Sequence, residues 1–115
     1  MKSSAAYEGQ QYHDGETELT DAANIAWDVD SAQVAKVTLT DNRTLDNPTN
    51  LQAGATYILR VIQDVTGTRT LAYGSAFKWA GGTVPVLSTA GDSVDILTFV
   101  CDGTNLYGAA SLDFQ

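Results

Sequence analysis

The chain has 115 residues, 43% of them hydrophobic, and carries 14 acidic against 6 basic side chains, a formal net charge of −8. That is chain enough for one domain with one core, and its charge repels phosphate backbones and anionic bilayers, which speaks against nucleic acid and membrane as partners. Cys101 is the single cysteine and His13 the single histidine, so one chain alone holds no intrachain disulfide, no thiolate zinc cage and no histidine-based metal site or catalytic triad.

Residues 1–15 are small and polar, offer no periodic face to a core, and read as an N-terminal arm preceding a single domain over residues 16–115. Two readings of the arm stand side by side, a solvated flexible terminus and a segment that orders against a neighbouring molecule. Between Lys2 and Lys36 lie seven acidic residues and no basic one, a concentration of negative charge that ordinarily marks a solvated face. No apolar h-region follows Met1, and nowhere do eighteen apolar residues run together.

From there the pattern is that of strands. Over residues 24–30, Ile25, Trp27 and Val29 share one face and Ala26, Asp28 and Asp30 the other, a half-buried strand; Asp21 as the N-cap of a short helix is a weaker alternative. Over residues 33–40, Ala35, Val37 and Leu39 point one way and Lys36, Thr38 and Thr40 the other, before the Asp41-Asn42 turn pair. Antiparallel pairing of these two strands is the simplest expectation. Residues 45–50 form a loop around Pro48. Residues 57–64 are apolar on both faces until Gln63 and Asp64, which predicts a central strand covered on two sides, with Tyr57, Leu59 and Val61 on one face. Gly67, free to take a positive φ, would turn it into a hairpin with residues 69–73. Phe77-Lys78-Trp79 has the alternation of a short half-buried strand. Pro85 confines residues 84–87 to an edge or a loop. Residues 94–101 and 106–112 flank Asp102-Gly103-Thr104-Asn105, a strong hairpin signal. Eight or nine short strands at this spacing predict an all-β, antiparallel β-sandwich, jelly-roll-like, with a flexible N-terminal arm.

The chemistry search is largely negative. His13 lies in the arm and reads as solvated. Cys101 ends an apolar strand with no histidine placed to activate it, so it reads as a small buried hydrophobe. Asp28 and Asp30, with Asp21, could suggest calcium, but the spacing of a calcium-binding helix-loop-helix is absent and strand-end aspartates are commonly turn formers. No acid, base and nucleophile set can be named, so neither an enzyme nor a cofactor is expected. Asp64, Arg69, Asp95 and Asp102 fall within or beside apolar strands, where a charge must be paired. Arg69 is therefore expected to pair with Asp64 across its hairpin or with Asp95, within one subunit or between subunits about a symmetry axis. Tyr73, Phe77, Trp79 and Tyr107 either pack in a core or subunit contact, or form an exposed platform for stacking sugars.

The second half of the chain carries a resemblance. Gln63-Asp64, Gly67-Thr68-Arg69-Thr70-Leu71, Ala76-Phe77-Lys78-Trp79, Gly82-Thr83-Val84-Pro85, Asp95-Ile96-Leu97-Thr98-Phe99 and Asp102-Gly103-Thr104-Asn105 together resemble a block found in virion surface proteins of tailed bacteriophages, both capsid decoration proteins and tail-fibre modules. The resemblance implies a structural virion protein. Because the chain is short and holds one compact domain, the expectation is a decoration, or cement, protein on the outer capsid surface. It would bridge subunits of the major capsid protein, as a homotrimer with apolar strand surface at its interface. The alternative is a tail-fibre or receptor-binding module that recognises host surface glycans.

Overall fold

The computed structural model describes residues 16–114; the expected arm over residues 1–15, His13 included, lies outside them. Among the described residues nine strands follow in order: β1 (Thr17–Glu18), β2 (Asn24–Ile25), β3 (Val34–Leu39), β4 (Arg43–Leu45), β5 (Thr56–Gln63), β6 (Leu71–Tyr73), β7 (Phe77–Trp79), β8 (Val94–Cys101) and β9 (Leu106–Phe114), with a 3-10 turn at Ala80–Gly82. They build a six-stranded sheet ordered β1-β3-β5-β8-β9-β7 and a three-stranded sheet ordered β2-β4-β6. One apolar core lies between the two. The all-β sandwich expected from the strand pattern is what forms.

The direction of pairing differs from the expectation. In the large sheet β1, β3 and β5 are parallel neighbours, and in the small sheet so are β2, β4 and β6. The chain therefore winds from one sheet to the other and back, laying each coil on the one before: Thr17 opposes Ala35, Val34 opposes Ile58, Asn24 opposes Thr44 and Arg43 opposes Leu71. The sandwich is mixed, and a jelly-roll order, which needs antiparallel neighbours, does not arise. The physical reason lies at the corners. The antiparallel pair expected of residues 24–30 and 33–40 does not form, because β2 and β3 lie in different sheets; the Asp41-Asn42 turn bends the chain from β3 into the opposite sheet, and the turn around Gly67 carries it from β5 not into a hairpin but to β6, which pairs with β4. Polar side chains then tie corner to corner. The Asp21 carboxylate accepts from Arg43 Nε at 2.8 Å and from Thr40 Oγ1 at 2.5 Å, Asn42 Oδ1 accepts from the Thr70 N–H at 2.9 Å, and Asn47 Oδ1 from the Ala76 N–H at 2.8 Å. Each such bond satisfies a corner group only when the coils stack.

Beyond the coils the expected hairpin forms. β8 pairs antiparallel with β5 on one side and with β9 on the other, and Gly103 takes φ +97 at the turn, a conformation closed to most side chains. β7 closes the sheet, parallel to β9. The Pro85 segment is a loop, leaving Val86 80% exposed.

Period two places the core as expected. Ala35, Val37 and Leu39 of β3, Tyr57, Leu59 and Val61 of β5, and Leu97, Phe99 and Cys101 of β8 point inward to meet Ile25, Trp27, Val29 and Leu45. At about 1.5–3 kcal/mol for each large apolar side chain buried, this face supplies most of the driving force. Trp27 sits at the centre, its Nε1 donating to the Ala32 carbonyl at 2.6 Å and its ring edge-on to Tyr57 and Phe99. β5 is central, between β3 and β8, yet among the described residues it is covered by a second sheet on one side only; on its outer face Ile58, Arg60 and Ile62 are half-buried. Arg60 there makes a bidentate pair with Glu16, at 2.6 and 2.7 Å.

Candidate functional site

Where β7, β8 and β9 run side by side, Tyr57, Phe99, Gly108 and Trp79 stand opposite one another in a single row across the sheet. The large rings from both neighbours lean over the glycine: a Cβ on Gly108 would lie 2.6 Å from Trp79 Cζ3 and 2.7 Å from Phe99 Cε1. That close approach gathers an internal aromatic cluster. Phe77 and Trp79 each meet Phe99, with centroids 5.2 and 5.5 Å apart, and Tyr73, from the small sheet, meets Trp79 at 4.9 Å and Phe77 at 5.6 Å. Burial pushes the Tyr73 phenol pKa up, and the Asp95 charge adds to the shift.

Of the four aromatics proposed as a sugar platform, three are thus drawn into this cluster. Phe77 is buried, Tyr73 and Trp79 are half-buried, and only Tyr107 stands outward, 50% exposed. Alternation accounts for the split: Phe77 and Trp79 share the inward parity of β7, as Leu106 does on β9, whereas Lys78 and Tyr107 take the outward one. The Tyr107 hydroxyl donates to Asp102 Oδ2 at 2.9 Å. Asp102 is itself fixed by the N–H groups of Asn105 and Thr104 on its other oxygen, at 2.7 and 2.9 Å. These bonds, those from Asn105 and Thr104 foremost and the one from Tyr107 after them, hold the Asp102 carboxyl below the usual carboxylate range.

On the outer face beside Tyr107 lies an open groove of about 330 Å³, lined by Lys78, Trp79, Thr98, Val100, Tyr107 and Ala109 among others. Sequence reading singled out Tyr107 and Trp79 but not Lys78, Thr98, Val100 or Ala109. The alternation of β8 and β9 contains them once Phe99 and Leu106 are known to face inward.

The charged residues occupy other ground. Arg69 pairs with Asp64, Nη2 to Oδ2 at 2.9 Å and Nε to Oδ1 at 3.3 Å, at the corner between β5 and β6. Arg69 and the Gly67 N–H together keep the Asp64 carboxyl below its usual range. Asp95 is elsewhere, 3% exposed, and takes its hydrogen bonds from the backbone: Ser88 N–H at 2.7 Å and Asp113 N–H at 2.8 Å. The structure therefore brings Arg69 to Asp64 and not to Asp95. Cys101 is buried. Asp28 accepts from the Asp30 N–H and from Asn50 Nδ2, and Asp21 from Arg43, so these aspartates act as corner pieces. Among the described residues no three His, Cys, Asp or Glu side chains are grouped to hold a metal ion, and no helix is long and apolar enough to cross a membrane.

Residues 19–106 match the family described as "Putative phage tail fibre C-terminal domain". The chain belongs to this family. It is a bacteriophage structural protein and a virion component, as the resemblance implied, and the match reaches back through the coils to Leu19, well before the block on which the resemblance rested. Lys78, Trp79, Thr98 and Val100 of the groove lie within the matched span, and Tyr107 and Ala109 directly after it. The family's description speaks of a tail fibre and not specifically of capsid decoration. No curated protein and no solved structure matches the chain.

Proposed function

We propose that this domain is a receptor-recognition module of a phage tail fibre and that it acts by binding, without catalysis or cofactor. The observation that carries the reading is the family match over residues 19–106. The capsid-decoration reading drew its strength from the chain being short and compact. A family described as one domain of a fibre removes that argument, because a module of this size is what such a description calls for. The outward Tyr107 groove supports the reading as well, since an open, partly apolar depression on an ordered sheet is a common form of recognition site. A symmetric homotrimer is the proposed state. The exposed apolar side chains Val84, Val86, Leu112 and Phe114 supply surface for its contacts.

The test is a comparison of two surfaces. Fluorescently labelled protein is mixed with host cells and, separately, with empty capsids. Saturable binding to cells, together with protection of those cells from phage adsorption, is the expected result. Binding to capsids with none to cells would instead establish the decoration reading.

A further inference from the structure

A sheet with one face in water sets polar residues alternately with apolar ones. On the large sheet that alternation fails, because β5 and β8 are largely apolar in both parities. Away from the core β8 turns Val94, Ile96, Thr98 and Val100, and their partners across the ladders make registered rows. Ile62, Val94 and Phe114 stand side by side, as do Ile58, Thr98 and Ala109, and between these rows Ile96 faces Ser111. The β8 and β9 residues of these rows are uncharged. On the neighbouring strands the outward charges cancel: Arg60 is held bidentately by Glu16, and Lys36 stands opposite Glu18 across the β1–β3 ladder. In a chain with a formal net charge of −8, these rows thus carry no net charge, while Asp28, Asp30, Asp41, Asp92 and Asp102 are exposed at corners and turns.

We infer that this face is where copies of the chain meet in the trimer, the outer faces of their large sheets turned toward a shared axis. The inference rests on the trimeric state proposed above and supplies its contact surface. Identical chains of like charge repel, so they approach most readily where no net charge stands. Pleated rows of β-branched side chains are also self-complementary, since they interlock with the same rows on a second sheet about 10 Å away. The sequence pattern of β5 calls for cover on two sides, and a second copy supplies the side that the small sheet does not. Over β3, β5, β8 and β9 the face spans about 450 Å² before side-chain relief is counted. The exposed Val65 and Leu112, near the ends of β5 and β9, extend it toward the roughly 800 Å² per partner of a stable interface. A polar partner would find only the Thr98 and Ser111 hydroxyls among the β8 and β9 residues of these rows, which favours contact between like faces. The groove lies toward the opposite end of the same strands, where Val100, Tyr107 and Lys78 form a row, and stays open beside the contact.

Sedimentation equilibrium and native mass spectrometry of the full chain read the assembly, and the parent is expected to be trimeric at micromolar concentration. Ser111→Glu, at an exposed position, and Ile96→Glu, facing it, each set like carboxylates into the contact. Each should raise the concentration needed for assembly by about a hundredfold. Ala72→Glu puts the same charge on the exposed side of the small sheet and should leave the trimer unchanged. Unchanged far-ultraviolet circular dichroism certifies that each variant is folded; should Ile96→Glu fail to fold, Ser111→Glu decides the matter. A monomeric parent overturns the inference together with the trimer. A trimer that survives both substitutions overturns the contact face alone, and so does one that Ala72→Glu disrupts equally. A monomeric parent whose adsorption to host cells falls with Ser111→Glu gives the face to the receptor instead, which also overturns the inference. Adsorption is scored separately, so an assembled parent that ignores host cells overturns the recognition reading and leaves the contact face standing.

Discussion

Gly108→Ala adds one methyl group at the point where three strands are held together by rings. The new Cβ would lie 2.6 Å from Trp79 Cζ3 and 2.7 and 2.8 Å from Phe99 Cε1 and Cδ1, against about 3.5–4.0 Å for comfortable carbon contacts. The rings must therefore retreat by roughly 1 Å. Neither has free space behind it: Phe99 is wedged against Trp27 and Phe77 at 5.9 and 5.2 Å, and Trp79 against Tyr73 at 4.9 Å. Overpacking of this kind costs about 1–3 kcal/mol. Restricting the unfolded chain by replacing glycine returns about 0.4–1 kcal/mol, which leaves a net loss of about 1–2 kcal/mol. Urea unfolding followed by fluorescence should show a lower midpoint with an unchanged slope, and Tm should drop by roughly 5–15 °C. Phe99→Leu makes room, so the double variant should be less destabilised than the two single losses added together. A Gly108→Ala protein as stable as its parent, or strict additivity in the double variant, would refute the argument that ring packing reserves this position for glycine.

Gln63→Leu should cost at least about 2 kcal/mol in denaturant unfolding, because the buried Gln63 amide donates to the Arg69 and Ser88 carbonyls at 2.8 and 2.9 Å and accepts from the Arg69 N–H at 3.0 Å. Acid titration should find stability nearly constant from pH 7 to about 5 and falling below about pH 4. The pKa values of Asp64 and Glu16 are depressed on folding by Arg69 and Arg60, so their contribution is complete above the unfolded carboxylate pKa and is lost as pH drops through the folded one. By the same sign, the stability gap between the parent and Arg69→Ala, measured by thermal melts across pH, should be steady near neutrality and close in acid. Native mass spectrometry at micromolar concentration should give a trimer; a monomer alone would count against the symmetric assembly.

Much of the burial pattern was legible in the sequence because a strand's two faces alternate whatever its neighbours are. Ile25, Trp27 and Val29 face inward as read, although only Asn24–Ile25 and a bridge at Asp28 are paired. The β8–β9 hairpin was legible too, since Asp102-Gly103 favours a tight reversal. Partnership was not. Asp41-Asn42 makes a corner as readily as a reversal, and the contacts that decide between them, Asp21 with Arg43 and Asn42 with Thr70, join residues far apart in sequence. At the groove, the alternation of Phe77-Lys78-Trp79 was evident, but a three-residue strand does not reveal which face meets the core. Asp95 was read as needing a cation, whereas two backbone N–H groups meet its carboxylate, a solution available only after the loop before β8 and the end of β9 are in place.

The stacked coils give the molecule a direction of growth. Each finished coil presents the next with two templates at once, one in each sheet, while β8 covers the β5 edge in the opposite sense and ends the series. Arrays whose units lean only on their neighbours can gain or lose a unit without redesign of the rest. An extra coil laid beside β1 and β2 would meet matching parallel edges, whereas one inserted between β5 and β8 would have to break a ladder. Length can therefore vary at one end of this architecture while the groove at the other end keeps its shape, so that reach and recognition are free to change independently.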